Sequence, residues 1–133
     1  MPGEVSENAR LLIDTGAVGI NIEDATRLEA KPLANLEPQI RKISAIRAVA
    51  DDADIPLVIN ARTGAFRFAQ GSTTERLEET IRRGKAYNRA GADCIFPFGV
   101  SDSESISTVV GKLDCPVNII VGHGAPRISE LKS

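Results

Sequence analysis

Apolar residues along this chain of 133 residues follow two alternating patterns, one at helical spacing and one in short continuous runs. The N-terminal segment shows the helical spacing, and Gly16 follows where a helix C-cap is expected. The next run, AVGINI at residues 17–22, is rich in β-branched residues and stops at Glu23 and Asp24, which is typical of a buried parallel strand. The predicted apolar face of the helix consists of Val5, Ala9, Leu12 and Ile13.

The alternation of helix and strand continues through the middle of the chain. After an irregular segment at residues 25–34, Asn35 is predicted to cap a second helix. Pro56 introduces a second strand at residues 57–59, which ends at Asn60, Ala61 and Arg62. The apolar face of the second helix consists of Leu36, Ile40, Ile43, Ile46 and Ala50.

The C-terminal half repeats the pattern twice. Ser72 and Glu75 have the spacing of a capping box for a third helix that closes at Gly91, and residues 94–96 form a third strand. Asp102 is predicted to cap a fourth helix, and a fourth strand follows at residues 117–121. A Gly-His-Gly loop at residues 122–124 and a helix start at Pro126 complete the chain. The apolar face of the fourth helix consists of Ile106, Val109, Val110 and Leu113.

Four strand and helix units of this kind predict an α/β fold in a single domain of residues 1–133. Right-handed crossovers make the strands parallel, so their carboxyl ends gather on one edge. Ligands of parallel α/β folds bind at that edge, and polar residues stand there in this sequence. The candidate site residues are Glu23, Asp24, Asn60, Arg62, Phe98, Gly99 and His123.

Each candidate also has an ordinary structural explanation. Acidic residues at strand ends more often face solvent or cap helices than bind metals. Arg62 can pair with a neighbouring carboxylate, and a single histidine in a glycine loop, such as His123, is more often unreactive than catalytic. Phe98 can serve as an apolar wall. The residues identify no general acid or base.

Composition and charge narrow the classes of function. The net charge is −2 and basic residues are dispersed among acidic ones, which argues against a nucleic-acid partner. No apolar run is long enough to span a membrane and the N-terminus lacks a secretory signal, so we predict a cytoplasmic protein with no membrane partner. Cys94 and Cys115 lack CxxC spacing and are predicted to be buried, reduced thiols.

Four segments together resemble the isocitrate lyase/phosphoenolpyruvate mutase superfamily, and its phosphoenolpyruvate mutase-like branch in particular. They are GAVGINIEDA, VINARTGAFR, GADCIFPFGV and CPVNIIVGHGAPRISELK, which follow the order and spacing of the family's middle and later strands. Members of the family are complete barrels that bind Mg²⁺ and act on C–C or P–C bonds of 2-oxo or enolpyruvyl acids. The resemblance therefore implies a partial (β/α)₈ TIM barrel and a small oxo-acid or enolpyruvyl substrate.

The resemblance also implies roles for particular residues. Glu23 matches the family's acidic metal-site residue, and Asp24 beside it is a second metal candidate. Arg62 matches the substrate-binding arginine, and Asn60 and His123 are further substrate-binding candidates. A hard cation prefers carboxylate oxygens and a guanidinium group binds a carboxylate or phosphonate in a bidentate manner, so the residue types suit these roles. The implied activity is that of a phosphoenolpyruvate mutase, a phosphonopyruvate hydrolase or an oxaloacetate decarboxylase.

Several departures separate this sequence from the lyase branch. The segment ATRLEAKPLANLE lacks the Lys-Cys-Gly-His motif with its catalytic cysteine, which disfavours isocitrate-type cleavage. Gly64 stands where many members have an acidic residue, and Phe98 stands near the position of a lyase glutamate. The family's aspartate pair lies on an earlier strand than the first one here, and a full barrel takes ~250 residues. We therefore expect weak metal binding and no useful turnover from this chain alone.

A second hypothesis is a non-catalytic, truncated half-barrel that associates through exposed strand edges and forms a homo-oligomer. In a half-barrel, the inner face of the strands lacks its other wall. A third hypothesis, a small doubly wound domain that binds a phosphate-bearing ligand, lacks a GxGxxG or GxxxxGK[ST] motif. The residues expected on the apolar inner face include Ile20, Ile22, Val58 and Ile95.

Overall fold

Three parallel strands form the centre of the protein, whose computed structural model describes residues 2–120 and 127–131. The strands lie in the order β1, β2, β3, and helices connect them. In chain order the elements are α1 (Pro2–Asp14), β1 (Gly19–Glu23), α2 (Leu36–Asp52), β2 (Val58–Thr63), α3 (Ala65–Phe68), α4 (Thr73–Ala90), β3 (Cys94–Pro97), α5 (Ser103–Lys112) and α6 (Ile128–Leu131).

The two faces of the sheet differ sharply in polarity. Residues paired in register point to the same side, so the row of Asn21, Asn60 and Cys94 and the row of Glu23, Arg62 and Phe96 share one face. We call it the open face. The alternate strand residues are buried in the core that the sheet shares with the helices: Ile22, Ile59, Ala61 and Ile95.

The prediction that the inner, uncovered face of the strands is apolar is therefore wrong. Ile22 and Ile95 lie on the helix-covered face at 9% and 0% exposure, and Ile20 packs against the same core. Val58 points the other way and is 49% exposed. The register explains the difference, because Val58 pairs with Gly19 and the next residue, Ile59, pairs with Ile20. The open face, which no helix covers, is thus mainly polar rather than apolar.

The predicted caps of α4 and α5 are confirmed. The Ser72 hydroxyl accepts a hydrogen bond from Glu75 N, and the Glu75 carboxylate accepts one from Ser72 N. Gly91 ends α4 at φ 124°, and a Cβ there would lie 2.8 Å from Arg47 Cβ, so glycine is required twice over. Asp102 caps α5 by accepting from Ser105 N.

Other helix predictions need correction. Asn35 occupies the N-cap position of α2, but its side chain makes no capping hydrogen bond. Ala9 and Ile13 bury one edge of α1, whereas Leu12 is 46% exposed, because the buried stripe is narrower than the apolar spacing suggested. Val110 on α5 is likewise exposed. None of the described helices is both long and apolar enough to cross a membrane.

The fourth predicted strand is wrong for the residues that the structure describes. Val117 forms a single parallel bridge with Ile95, and residues 118–120 have no strand structure. Residues 121–126, which include the predicted helix start at Pro126, lie outside the described ranges, and α6 begins at Ile128. The short helix α3 was not predicted, because it is only four residues long and shows no apolar periodicity. The α/β fold with parallel strands is confirmed.

Candidate active site at the carboxyl ends of the strands

Glu23 and Arg62 form an ion pair across the carboxyl ends of β1 and β2. Arg62 Nε lies 3.3 Å from Glu23 Oε2, and the two side chains are 35% and 46% exposed. Arg62 Cζ lies 4.1 Å from the centroid of the Phe98 ring and 5.5 Å from that of Phe96. The guanidinium group is therefore held against two aromatic rings and beside one carboxylate, and it remains partly open to solvent.

A row of asparagines crosses the open face one layer below that ion pair. Asn60 Nδ2 donates to Asn21 Oδ1 at 2.8 Å, and Asn118 Nδ2 donates to Asn60 Oδ1 at 2.9 Å. The Cys94 thiol also lies 3.3 Å from Asn60 Oδ1. Asn60 is thus fixed by its neighbours on both sides, which limits how freely its amide can turn toward a ligand.

Asp24 points away from the open face and is 1% exposed. Its Oδ1 accepts a hydrogen bond from Gly64 N at 2.8 Å. Its Oδ2 accepts from three side chains: Thr63 Oγ1 at 2.8 Å, Arg83 Nη1 at 3.1 Å and the Tyr87 hydroxyl at 2.6 Å. We call these five residues the Asp24 cluster. Four donors satisfy the buried carboxylate, which favours a supporting role for it over metal binding.

The ionisation of the Asp24 cluster follows from its burial. Burial raises the pKa of Tyr87, and the neighbouring Asp24 charge raises it further, so the phenol keeps its proton and donates a hydrogen bond to Asp24. Burial is the largest single influence on Arg83 and lowers its pKa, but the Glu79 carboxylate, 2.9 Å from Arg83 Nε, together with Tyr87 and Asp24 outweighs burial and raises the pKa above its ordinary value. Arg83 therefore stays charged between two carboxylates.

The structure brings only some of the predicted site residues together. Glu23, Asn60 and Arg62 share the open face, and Phe98 contacts Arg62. Asp24 lies on the opposite side of the sheet, because successive residues of a strand alternate. His123 lies outside the described residues. Within residues 2–120 and 127–131, no group of three or more His, Cys, Asp or Glu side chains is arranged to hold a metal ion.

Three residues near the site were not singled out from the sequence. Counting back by two from Glu23 reaches Asn21, so the strand period contained the signal for that residue. Nothing in the sequence marked Asn118 or Arg67, whose positions depend on contacts between separate elements. Cys94 and Cys115 are both free thiols, as predicted, but they are half-buried rather than buried.

The fold and its polar strand ends resemble known proteins over nearly the whole chain. The phosphoenolpyruvate phosphomutase family profile matches residues 1–133. The chain is 35% identical over 128 residues to an oxaloacetate decarboxylase of Bradyrhizobium diazoefficiens, covering 92% of this chain and 41% of that protein. It is 34% identical over 134 residues to the petal death protein of Dianthus caryophyllus, covering 94% of this chain and 39% of that one.

Solved structures agree with these sequence matches. A candidate phosphonomutase from Burkholderia cenocepacia superposes with a TM-score of 0.87 at 32% identity, covering 98% of this chain and 52% of that one. A 2,3-dimethylmalate lyase of the PEP mutase/isocitrate lyase superfamily gives a TM-score of 0.81 at 26% identity, covering 98% and 45%. The chain spans about two fifths of the length of the curated relatives and about half of the solved structures that it matches.

The fold is therefore a partial barrel of the TIM type, with candidate site residues at the carboxyl ends of its strands. The chain belongs to the phosphoenolpyruvate phosphomutase family, whose profile covers all of it. The resemblance to the isocitrate lyase/phosphoenolpyruvate mutase superfamily is confirmed, and the relatives include lyases and decarboxylases.

Proposed function

We propose that residues 1–133 are one partial barrel domain of a cytoplasmic, Mg²⁺-dependent lyase or mutase. The proposed substrate is a small 2-oxo or enolpyruvyl acid, and the reaction breaks or rearranges a C–C or P–C bond. The relatives include an oxaloacetate decarboxylase and a 2-methylisocitrate lyase, which supports this class of chemistry. The domain carries the middle and later strand and helix units of the family barrel.

The observation that carries the proposal is the Glu23–Arg62 pair on the open face. Arg62 is held by the Phe98 ring and still exposes part of its guanidinium group, so it can bind an anionic group through charge-assisted hydrogen bonds. The contact with Glu23 is a single one at 3.3 Å, which an incoming carboxylate or phosphonate can replace.

The described residues fit part of a Mg²⁺ site. Mg²⁺ usually keeps several waters and takes one or two carboxylates together with substrate oxygens. Glu23 can supply one such carboxylate from the open face. Asp24 remains a predicted ligand, but its four donors favour support of the loop behind Glu23. When bound, Mg²⁺ stabilises negative charge that develops on a substrate oxygen.

The chain's own residues then have separate tasks. Arg62 binds and orients the acidic group of the substrate, and Glu23 is the carboxylate that would hold Mg²⁺. Asn60 and His123 are the further proposed substrate-binding residues. The asparagine row holds Asn60 in place below the ligand, so Asn60 contributes through its remaining amide proton.

Binding of oxalate together with Mg²⁺ tests this proposal directly. In NMR titrations of the ¹⁵N-labelled chain, we expect shifts of the Arg62 and Glu23 amides in the wild type. We expect Arg62→Gln to abolish oxalate binding, and Glu23→Gln to abolish only the part of the binding that depends on Mg²⁺. Arg41→Gln and Glu78→Gln, on exposed positions of α2 and α4, are the matched controls.

Two results would contradict the proposal. One is a folded wild type whose amides do not respond to oxalate with or without Mg²⁺. The other is equal oxalate binding by wild type, Arg62→Gln and Arg41→Gln, since that places the ligand away from the open face.

The sheet also supports a second candidate function, association through its edge and open face. β1 has one hydrogen-bonded neighbour in the three-stranded sheet, and Val18 beside it is 76% exposed. Val58 adds apolar surface on the open face. Light scattering at several concentrations tests this candidate. If the chain associates through this face, the measured mass rises with concentration in the wild type and stays closer to that of the monomer in Val58→Thr.

A further inference from the structure

We propose that Arg67 is a second anion-binding residue beside Arg62, so that the site selects ligands with two acidic groups. This inference rests on the proposed function of the open face and extends it. Arg67 lies on α3, the short helix that follows β2, and is exposed.

Arg62 and Arg67 meet at one aromatic ring. Cζ of Arg62 lies 4.1 Å and Cζ of Arg67 lies 5.5 Å from the centroid of Phe98. Because both guanidinium groups contact the same ring, their Cζ atoms are no more than about 10 Å apart. A small diacid that binds one guanidinium group at each end has the reach for such a separation.

The charge of Arg67 has no carboxylate partner within the described ranges. The ion pairs there occupy Arg47, Arg62, Arg82 and Arg83, and no side-chain hydrogen bond involves the Arg67 guanidinium group. Position 64, where many family members have an acidic residue, is a glycine here and so provides no carboxylate for Arg67. Stacking on Phe98 leaves the in-plane N–H donors of a guanidinium group available for a ligand.

The backbone that carries Arg67 is held in place. Gly64 N donates to the buried Asp24 carboxylate at 2.8 Å, and Ala65 N donates to Thr63 Oγ1 at 3.2 Å, which anchors the start of α3. On its other side, α3 packs against the loop after β3, where Gly99 has φ 91°. A Cβ on Gly99 would lie 3.8 Å from Arg67 Cβ. Such anchoring fixes the backbone from which the Arg67 side chain extends toward Phe98.

The test compares two ligands that differ by one carboxylate. Succinate and butyrate have four carbons each, and NMR titration gives the dissociation constant of each at constant Mg²⁺. We expect the wild type to bind succinate roughly tenfold more tightly than butyrate or better, since the second acid gains charge-assisted hydrogen bonds. We expect Arg67→Gln to bring the ratio close to one while leaving butyrate binding unchanged, and Arg67→Lys to retain part of the preference.

The controls separate this inference from the function on which it rests. Arg41→Gln removes the same charge on α2 and should keep the wild-type ratio, and circular dichroism checks that each variant is folded. If Arg67→Gln keeps the ratio, or lowers both affinities equally, Arg67 is not a second anion-binding residue. If Arg62→Gln leaves both ligands unaffected, the proposed site itself is wrong, and the inference falls with it.

Discussion

The Tyr87 hydroxyl donates a 2.6 Å hydrogen bond to Asp24 Oδ2, which joins the last turn of α4 to the residue after β1 inside the core. Tyr87 is fully buried, and Asp24 is 1% exposed. The same carboxylate holds Gly64 N, so the residue next to Glu23 also fixes the turn that leads to Arg67. The open face with its candidate site residues is thus supported from behind by a buried carboxylate.

Removing one donor from Asp24 should destabilise the fold measurably. We expect Tyr87→Phe to lower the free energy of unfolding by about 1–3 kcal/mol, because a buried acceptor loses a partner. Asp24→Asn should cost about 3–5 kcal/mol, because Arg83 loses a buried counter-charge. Urea unfolding followed by circular dichroism measures both changes.

Asp114→Asn, at an exposed position, is the control for these variants and should stay within about 0.5 kcal/mol of wild type. A Tyr87→Phe variant as stable as that control would show that the hydroxyl contributes nothing to the cluster. If Asp24→Asn kept full stability and lost only Mg²⁺ binding, Asp24 would be a metal ligand rather than a supporting residue.

The Phe68 ring leaves no room for a side chain at position 64. An acidic residue in place of Gly64 should therefore strain the turn. A Cβ on Gly64 would lie 2.9 Å from Phe68 Cδ2, closer than side chains tolerate. We expect Gly64→Asp to cost about 1–3 kcal/mol of stability through this clash. In the Phe68→Ala background the added cost should largely disappear, because the ring is gone.

A double-mutant cycle in urea measures this coupling. Gly111→Ala is the matched control, since nothing lies within 4 Å of its added Cβ and the helix should gain about 0.5–1 kcal/mol. Equal costs of Gly64→Asp with and without the Phe68 ring would exclude the clash as the cause.

Capping of α5 should make stability depend on pH at the acidic end. The hydrogen bond from Ser105 N holds the pKa of Asp102 below its ordinary value of about 3.9. Because the folded pKa is the lower one, the stabilisation is fully present above the ordinary value and is lost as the pH falls through the folded pKa. The effect is small, because Asp102 is exposed.

Asp102→Asn isolates this effect, since asparagine also caps helices but does not titrate. We expect wild type and variant to lose stability differently below about pH 4, with the wild type losing more. Two-dimensional carboxyl NMR titration gives the pKa of Asp102 itself, and a value at or above that of a free aspartate would contradict the expectation.

Much of the fold could be predicted because its signals are local. The Ser72–Glu75 capping box and the C-cap at Gly91 involve neighbouring residues and a single backbone conformation. Strand runs were recognised for the same reason, although β2 extends to Thr63 and therefore contains Asn60 and Arg62 rather than ending before them. The fourth strand failed because an apolar run cannot show whether a neighbour pairs with it.

The candidate site was only partly predictable. Glu23 and Arg62 were found from strand ends and family motifs, and their register confirms that they face each other. Asp24 was taken as a second metal candidate because it adjoins Glu23, yet the strand period turns it into the core. Arg67 carried no signal, since its contact with Phe98 joins residues 31 positions apart along the chain.

By itself, the sequence determined the order of the long helices and of the first three strands, several helix caps, which residues are acidic or basic at the strand ends, and to which family the chain is similar. The tertiary structure decided which face of the sheet stays open and what each polar group contacts. Distance along the chain is the physical reason, because the side chains that satisfy Asp24 come from residues 39 to 63 positions later. Local preferences cannot specify such contacts, which form only when the elements pack together.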